Sequence, residues 1–359
     1  MTSEPQRALD ARWYTDHGIF LEERRKIFGQ TWQLVCHQSE LSCPGDYVAR
    51  QGIIAIRHAS GTVKAFHNVC RHRGHELLAG KGNRRLITCP YHGWCYDLDG
   101  NLKRAPGSGD VPGFDAGSIH LGEVRCEVFC GFVFVNLDLK ALSMAHWYPG
   151  AEEEMRDLVP FIDDLRPVDE VVVEEACNWK VSVENYNECY HCKLRHPTLS
   201  NGVLDPDSYD IRPQGHCLRH TTTAAQTDTM TYGIDVSDRG ASSYSSWYLW
   251  PTCSFQVYPG RLVNTFHWEA TDHARVTVRR GWYARNGESD ATARQLARLD
   301  RETTLAEDID IVESVQRGLE SGHYEPGPLV VNPRGGVMSE HSIATLQRWV
   351  REALEAPVV

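Results

Sequence analysis

Residues 70–94 read CRHRGHELLAGKGNRRLITCPYHGW, and this stretch decides the fold because it holds two short metal-binding motifs. The first motif pairs Cys70 with His72, and the second pairs Cys89 with His92. Sixteen residues separate the two motifs, and short β-rich runs lie on both sides of them. Two thiolates and two imidazoles are therefore presented in matched pairs on two loops.

The mixed pairing of cysteine with histidine distinguishes between two kinds of metal site. A Rieske [2Fe–2S] cluster has two thiolates on one iron and two imidazoles on the other. A tetrahedral zinc site uses the same residue types, but zinc fingers pair cysteine with cysteine and histidine with histidine. Respiratory-type Rieske proteins carry two further cysteines in these loops, where this chain has His75 and Tyr91. The pattern therefore favours a Rieske cluster of the oxygenase or ferredoxin type.

Composition and charge exclude several classes of function. A formal net charge of −11 argues against a sequence-independent nucleic-acid binder, which needs clustered positive charge. No run approaches the ~18 apolar residues that a membrane span requires, so we expect no membrane association. The N-terminal residues lack the pattern of an export signal, so we expect the cytoplasm. The twelve cysteines are not expected to form a disulfide scaffold in that compartment, and metal ligation is the better interpretation for some of them.

Hydrophobic periodicity predicts an α+β chain in three segments. We expect an N-terminal helical segment at residues 1–41, an all-β metal-binding domain at 42–140 and an antiparallel-sheet domain with flanking helices at 141–359. Helices are expected at 12–35, 152–165, 179–190, 293–318 and 342–354. Strands of the second sheet are expected at 246–257, 262–268 and 275–283.

A second motif lies in residues 178–197, which read NWKVSVENYNECYHCKLRHP. This stretch resembles the catalytic alpha subunits of the Rieske non-haem iron oxygenases. The resemblance implies a helix-grip catalytic domain in which His191 and His196 bind a mononuclear Fe(II) together with one later carboxylate. Such a facial triad leaves coordination positions open for O2. Because Pro197 disfavours helix at the preceding residue, we expect His191 to end a helix and His196 to lie in the following turn.

The third iron ligand is expected in residues 306–316, AEDIDIVESVQ, which resemble the family's Glu-Asp-x4-Glu pattern. Asp308 is the candidate that this resemblance favours. Asp310 remains the alternative, because spacing alone does not choose between two acids that lie two positions apart. The two carboxylates cannot share one face of a helix.

Glu188 occupies the position where the family usually has an aspartate. By resemblance, its carboxylate bridges an iron-ligating histidine of one subunit to a cluster-ligating histidine of its neighbour, which implies a ring of chains, most simply a homotrimer. The alternative is a solvated helix carboxylate. Asn185 is expected near the iron on the same helical face. Cys189 and Cys192 are interpreted as buried thiols, since no βαβ context supports a thioredoxin-like site.

Electrons must come from elsewhere, because the chain has no Gly-x-Gly-x2-Gly dinucleotide motif and no plant-ferredoxin cysteine pattern. We therefore expect a separate NAD(P)H-dependent flavin and iron–sulfur reductase as partner. Electrons would pass from that reductase to the Rieske cluster and then to the mononuclear iron. One or two atoms of O2 would enter a small-molecule substrate.

The substrate prediction also comes from resemblance. Residues 188–192, 249–251, 312–319 and 339–341 are similar to the carnitine monooxygenase and betaine demethylase branch, which implies a quaternary ammonium substrate and C–N cleavage or N-demethylation. A trimethylammonium group is bound by aromatic faces. Candidate aromatic residues on the expected strands are Trp247, Tyr248, Trp250, Phe255, Tyr258, Phe266 and Trp268.

These aromatic residues have a second interpretation, which is that they form the core. Strand alternation puts Tyr248 and Trp250 on one face and Trp247 on the other, so they cannot all line one pocket. Two other functions stay open. The first is an aromatic-ring or heterocycle hydroxylase or demethylase of the same family. The second is a Rieske electron carrier without catalytic activity, against which the His191, His196 and Asp308 set argues.

Overall fold

The computed structural model describes residues 5–205, 207–222, 230–239 and 243–356. The chain divides into two compact units. One unit is formed by Gly29–Met144, and the other by the residues up to Phe28 together with those from Ala145 onward. Within the described residues, no helix is both long enough and apolar enough to cross a membrane.

The unit Gly29–Met144 is built from antiparallel strands. Its strands are β1 (Gln33–His37), β2 (Asp46–Arg50), β3 (Ile53–Arg57), β4 (Val63–His67), β5 (Gly80–Asn83), β6 (Ile87–Thr88), β7 (Cys95–Tyr96), β8 (Leu102–Arg104), β9 (Glu123–Phe129) and β10 (Phe132–Asn136). Seven of them form a sheet in the order β1-β10-β9-β4-β3-β2-β5, and β6-β7-β8 form a small second sheet. The metal motifs lie in the β4–β5 and β6–β7 loops.

Strand β3 shows why this unit holds together. Successive side chains of a strand point to opposite faces, and both faces of β3 are covered. Ile54 and Ile56 pack with Cys70 and Cys89 in one apolar cluster, whereas Ala55 packs on the other side. The thiols of the metal motif are therefore held by the core of the domain.

The N-terminal prediction was wrong in its extent. The helical segment ends at Phe28, and strand β1 follows from Gln33, pairing along β10 with Gln33 opposite Val135. The buried run Leu34 to Cys36 fills the sheet, which a helix at this point would not do. The β domain thus begins at Gly29 and extends to Met144, rather than spanning 42–140.

The second unit combines helices with a larger sheet. Its helices are α1 (Arg12–Thr15), α2 (His17–Glu23), α3 (Met144–Trp147), α4 (Ala151–Leu158), α5 (Trp179–Tyr186), α6 (Cys192–Arg195), α7 (Pro197–Gly202), α8 (Ala291–Asp300), α9 (Ala306–Glu320) and α10 (His341–Glu355). Its strands are β11 (Arg166–Glu175), β12 (Asp210–Gln214), β13 (Cys217–Thr221), β14 (Met230–Thr231), β15 (Ile234–Asp235), β16 (Ser245–Leu249), β17 (Cys253–Tyr258), β18 (Leu262–Asp272) and β19 (Arg275–Ala284).

The main sheet of this unit has the order β11-β19-β18-β17-β16-β13-β12, and all its pairs are antiparallel. One face of the sheet, called here the inner face, packs against α5. There the ring of Tyr186 contacts Phe266 and Trp268, and Trp268 Nε1 donates to Ser182 Oγ at 2.9 Å. The sheet and α5 together position the candidate site.

Two helix predictions needed correction. Helix α5 ends at Tyr186 rather than Tyr190. Where the chain leaves the helix, the side-chain Nδ2 of Asn187 donates to the Val183 carbonyl at 2.8 Å. The expected helix at 293–318 is present but contains a π-helical turn at Arg301–Leu305 between α8 and α9. That turn lies just before Asp308.

Candidate functional site

The side chains of His191, His196 and Asp308 converge, with one ligand atom of each lying within 4.8 Å of the others. Nε2 of His191 is 3.0 Å from Nε2 of His196, and Oδ1 of Asp308 is 3.0 Å from the same His196 nitrogen. Two nitrogens bound at right angles to one metal at about 2.1 Å would be separated by about 3 Å. Apart from this contact with His196, the buried Oδ1 of Asp308 has no hydrogen-bond partner among the described residues. The donor set therefore fits a divalent metal.

The chain brings these three residues together from two places. His191 directly precedes the short helix α6, and His196 directly follows it, so the helix break comes before His191 and not after it as expected. Asp308 lies in the first turn of α9. Asp310 is not part of this cluster, because its side chain is 74% exposed and its Oδ2 lies 3.2 Å from Arg195.

Each histidine also contacts a carboxylate on its other nitrogen. Glu188 Oε1 contacts His191 Nδ1, and Glu307 Oε2 lies 2.7 Å from His196 Nδ1. A carboxylate in this position fixes the orientation of a metal-ligating imidazole and selects the nitrogen that faces the metal. Sequence reasoning assigned no role to Glu307, although it directly precedes Asp308 in the quoted motif.

A cavity opens beside the cluster, and His191, His196 and Asp308 are among its lining residues. Five aromatic side chains line it, namely Tyr186, Tyr209, Tyr244, Tyr258 and Phe266. The expectation of an aromatic pocket included only the last two. The first three lie on α5 and in connecting segments, so a search of the strand sequences alone missed them.

The other aromatic candidates lie elsewhere. Trp247 is on the outer face of the sheet, where its Nε1 donates to Glu154 and the Arg219 guanidinium lies 4.0 Å from its ring. Phe255 pairs across the sheet with Trp247 and therefore shares that face. Tyr248, Trp250 and Trp268 belong to the hydrophobic core. Alternation along β16 separates Trp247 from Tyr248, as expected, but neither of these two candidates lines the cavity.

Burial keeps His220 and the tyrosines of the cavity wall neutral. Burial, assisted by the nearby Arg219 charge, lowers the pKa of His220 to about 3, so its imidazole is uncharged at neutral pH. Burial also raises the pKa of the phenols of Tyr209, Tyr244 and Tyr258 well above their ordinary value. These rings therefore offer π-faces and neutral hydroxyl groups to a ligand.

Asn185 lines this cavity and also a second cavity on the other side of α5. Its position near the cluster agrees with the expected location.

Cys189 and Cys192 are joined in a disulfide, so the interpretation of these residues as two buried thiols is wrong. The positions are adjacent across one turn, with Cα atoms 4.9 Å apart, because His191 lies in a tight bend between them.

The two loops of the β domain have matching geometry. Cys70 and Cys89 are buried and free of disulfides, while the rings of His72 and His92 are exposed with centroids 4.6 Å apart. In each loop a glycine four residues after the cysteine donates its amide to the cysteine carbonyl. Both glycines, Gly74 and Gly93, have positive φ, which a side chain would strain. Buried thiolates and exposed imidazoles suit a cluster with one sheltered and one accessible iron.

Two family models match the chain. The Rieske [2Fe-2S] domain matches residues 31–115, and the ring hydroxylating alpha subunit (catalytic domain) matches residues 162–356, which is more than half of the chain. This chain belongs to the Rieske oxygenase alpha-subunit family. Its members carry a Rieske [2Fe–2S] cluster and a mononuclear non-haem iron, so the expected enzyme class, fold class and cofactors are confirmed.

Relatives within this Rieske oxygenase family extend the match to nearly the whole chain. The carnitine monooxygenase oxygenase subunit of Acinetobacter baumannii is 34% identical over 347 residues, which is 95% of this chain and 93% of the relative. The quaternary ammonium Rieske monooxygenase CntA in complex with L-carnitine has a TM-score of 0.87 at 31% identity, covering 99% of this chain and 97% of that one. Naphthalene 1,2-dioxygenase with bound indole has a TM-score of 0.81 at 19% identity, covering 98% of this chain and 92% of that one. At this identity the match shows the shared fold alone.

Proposed function

We propose that this Rieske oxygenase hydroxylates a quaternary ammonium compound of the carnitine or betaine type next to its nitrogen, after which the C–N bond breaks. The observation that carries the proposal is one cavity lined by both the His191, His196 and Asp308 cluster and five neutral aromatic rings. A trimethylammonium group donates no hydrogen bonds, so aromatic faces are the appropriate surface for it. The similarity to carnitine monooxygenase supports the same substrate class.

Residues for both cofactors are assigned on the same basis. His191, His196 and Asp308 hold the mononuclear iron, and the position of Asp308 Oδ1 at 3.0 Å from His196 Nε2 supports this choice over the exposed Asp310. When bound, that iron supplies the activation of O2 next to the substrate. The Rieske cluster is held by Cys70, His72, Cys89 and His92.

The electron route is proposed to cross between subunits. Glu188 contacts His191 Nδ1, and its second oxygen accepts from the Tyr190 amide, so its carboxylate is held beside the iron ligand. From this position Glu188 would bridge to a cluster histidine of a neighbouring chain in a homotrimer. Inter-subunit electron transfer has been described for CntA. A separate NAD(P)H-dependent reductase would reduce the cluster, and the cytoplasm, which supplies that cofactor, stays the expected compartment.

Substrate-dependent NADH oxidation tests the proposal. The purified chain with a matching reductase should consume NADH in the presence of carnitine, γ-butyrobetaine or glycine betaine and release trimethylamine or formaldehyde. Tyr244→Leu should lower kcat/KM about tenfold by removing one aromatic face. Phe255→Leu removes a ring from the outer face of the sheet and should leave kcat/KM unchanged. Turnover of aromatic acids with no turnover of betaines would refute the substrate class.

The Glu188 route has its own test. Glu188→Gln should keep both the visible cluster spectrum and the mononuclear iron while slowing reoxidation of the reduced cluster in the presence of substrate and O2. Iron analysis should give three irons per chain, because an electron carrier without the catalytic site would hold two. Loss of the cluster band in this variant would contradict the assignment of Glu188.

A further inference from the structure

Arg280 on β19 is a buried cation in the wall of the substrate cavity, and only 1% of its side chain is exposed. Its Nη2 donates to Asp300 Oδ1 at 2.6 Å and to the Tyr258 hydroxyl at 3.2 Å. Its Nε and Nη1 have no hydrogen-bond partner among the described residues. One edge of the guanidinium is therefore held by the protein, and its other donors are unused.

The charge of Arg280 is retained despite burial. Burial is the largest single influence and opposes ionisation, but Asp300, Tyr258, Tyr232 and Asp308 together outweigh it, so the pKa of Arg280 lies above its ordinary value. The Phe266 ring covers the guanidinium at 4.1 Å and leaves its edge for in-plane contacts. Nε and Nη1 point in different directions, so each can donate one charge-assisted hydrogen bond, for which a carboxylate oxygen is a suitable acceptor.

Asn264 provides an independent observation beside Arg280. Its side chain is fully buried, and neither its Nδ2 nor its Oδ1 has a partner among the described residues. Asn264 is two residues from Phe266 on β18, and Phe266 lies directly opposite Arg280 on β19. Residues two apart on a strand and residues directly opposite share a face. The inner face thus carries two buried groups with unused donors at diagonal positions, of which Arg280 lines the cavity and Asn264 lies behind it.

Unused buried donors cost free energy unless a ligand or water satisfies them. The distribution of charge around the cavity indicates what kind of ligand would do so. The metal-binding end carries the carboxylates of Glu188, Glu307 and Asp308, whereas the sheet presents the Arg280 guanidinium, which is paired with Asp300 but keeps two unused donors. A ligand with a cationic head and an anionic tail would match this polarity, and a plain cation would leave the donors unpaired.

We propose that Arg280, assisted by Asn264, binds the carboxylate of the substrate and thereby selects betaines over quaternary ammonium compounds that lack an acid group. This inference rests on the proposed function and adds a specificity-determining residue to it. The aromatic rings hold the ammonium group, and Arg280 sets which end of the molecule lies toward the iron ligands. Choline, which carries a hydroxyl group in place of the carboxylate, is the matched discriminating compound.

The experiment compares two substrates across matched variants. The ratio of kcat/KM for γ-butyrobetaine to that for choline should fall about 10- to 100-fold in Arg280→Gln, because a charge-assisted hydrogen bond is lost. Arg280→Gln leaves Asp300 as an unpaired buried acid, so the double variant Arg280→Gln/Asp300→Asn, which removes both charges, should show the same fall if the single variant folds poorly. Asn264→Leu should reduce the ratio to a smaller extent.

Arg219→Gln is the control, since Arg219 pairs with Glu154 on the outer face of the same sheet. It should leave the substrate ratio unchanged. Equal loss of kcat/KM for both substrates in the Arg280 variants would mean a purely structural role and would overturn the inference while leaving the proposed function intact. Absence of wild-type turnover with any quaternary ammonium compound would overturn both.

Discussion

Oε2 of Glu307 lies 2.7 Å from Nδ1 of His196, so a carboxylate at the start of α9 orients the ring whose opposite nitrogen meets Asp308. Adjacent residues of one helix turn therefore contact both nitrogens of the same imidazole. The first turn of α9 therefore supplies one proposed iron ligand, Asp308, and orients a second, His196. It parallels the contact of Glu188 with His191.

Glu307→Ala should lower the affinity of the catalytic site for Fe(II) about 10- to 100-fold, because an outer carboxylate holds the tautomer and the direction of its histidine. Iron titration of the iron-depleted protein measures this affinity, with the cluster spectrum as an internal standard. Glu302→Ala, which removes a glutamate from the neighbouring π-helical turn, should bind iron like the wild type. An unchanged affinity in Glu307→Ala would show that the contact does not support the metal.

Asp308→Asn and Asp310→Asn discriminate between the two acids that the sequence left open. Asp308→Asn should lose the mononuclear iron and turnover, since the amide is a weaker ligand than the carboxylate that meets both histidines. Asp310→Asn should retain both, because its carboxylate is exposed and pairs with Arg195. Metal analysis and product formation in parallel give the answer, and iron loss in the Asp310 variant alone would reverse the assignment.

The proposed ligands could be found from the sequence because they lie in short local patterns. The pairs Cys70 with His72 and Cys89 with His92 are set by spacing within single loops, as are His191 and His196. The choice of Asp308 needed the structure, because two acids two positions apart differ only in the direction in which the helix turns them. Glu307 was missed because its contact joins residues that are 111 positions apart.

Glu175, at the end of β11, should make the stability of the catalytic unit depend on pH. Burial raises its pKa from 4.5 to about 7, with the Ser182 hydroxyl opposing the shift and the Asp308 charge adding to it. Between these values the folded chain keeps a proton that the unfolded chain releases, so the free energy of unfolding falls as pH rises through this window. The full effect above pH 7 is about 3 kcal/mol.

Urea unfolding of iron-free protein between pH 5 and 8, followed by tryptophan fluorescence, measures this dependence. Glu175→Gln cannot ionise, so its unfolding midpoint should change less with pH and should exceed that of the wild type above pH 7. Glu174→Gln, at the neighbouring exposed position, should follow the wild type. A wild-type midpoint that rises steadily from pH 5 to 7 would contradict the role of Glu175.

Breaking the buried ion pair of Glu23 and Lys180 should destabilise the folded chain. Lys180 Nζ lies 2.5 Å from Glu23 Oε1, both side chains are nearly inaccessible, and Trp179 Nε1 donates to the other carboxylate oxygen. Lys180→Met leaves a buried acid without its cation and should cost about 3–5 kcal/mol. The double variant Lys180→Met/Glu23→Gln should lose less free energy of unfolding than Lys180→Met alone. A double-mutant cycle of unfolding midpoints measures the coupling, and strictly additive losses would refute it.

Substrate-pocket residues were harder to predict than the ligands, and Trp247 and Tyr244 illustrate why. Strand alternation correctly separates Trp247 from its neighbours, but it does not tell which face of the sheet α5 covers. Tyr244 precedes its strand and reaches the cavity through the path of a connecting segment, which carries no periodic signal. The first β strand was likewise missed, because its five residues follow a helix after only a short turn.

A single-turnover experiment tests the central claim most directly. Protein with its cluster reduced under anaerobic conditions is mixed with O2 and γ-butyrobetaine, and both cluster reoxidation and the product of C–N cleavage are measured. We predict that reoxidation accompanies product formation in the wild type, and that His191→Ala keeps its cluster spectrum but forms no product. Reoxidation in the wild type without product from any quaternary ammonium compound, or product from His191→Ala, would contradict the account.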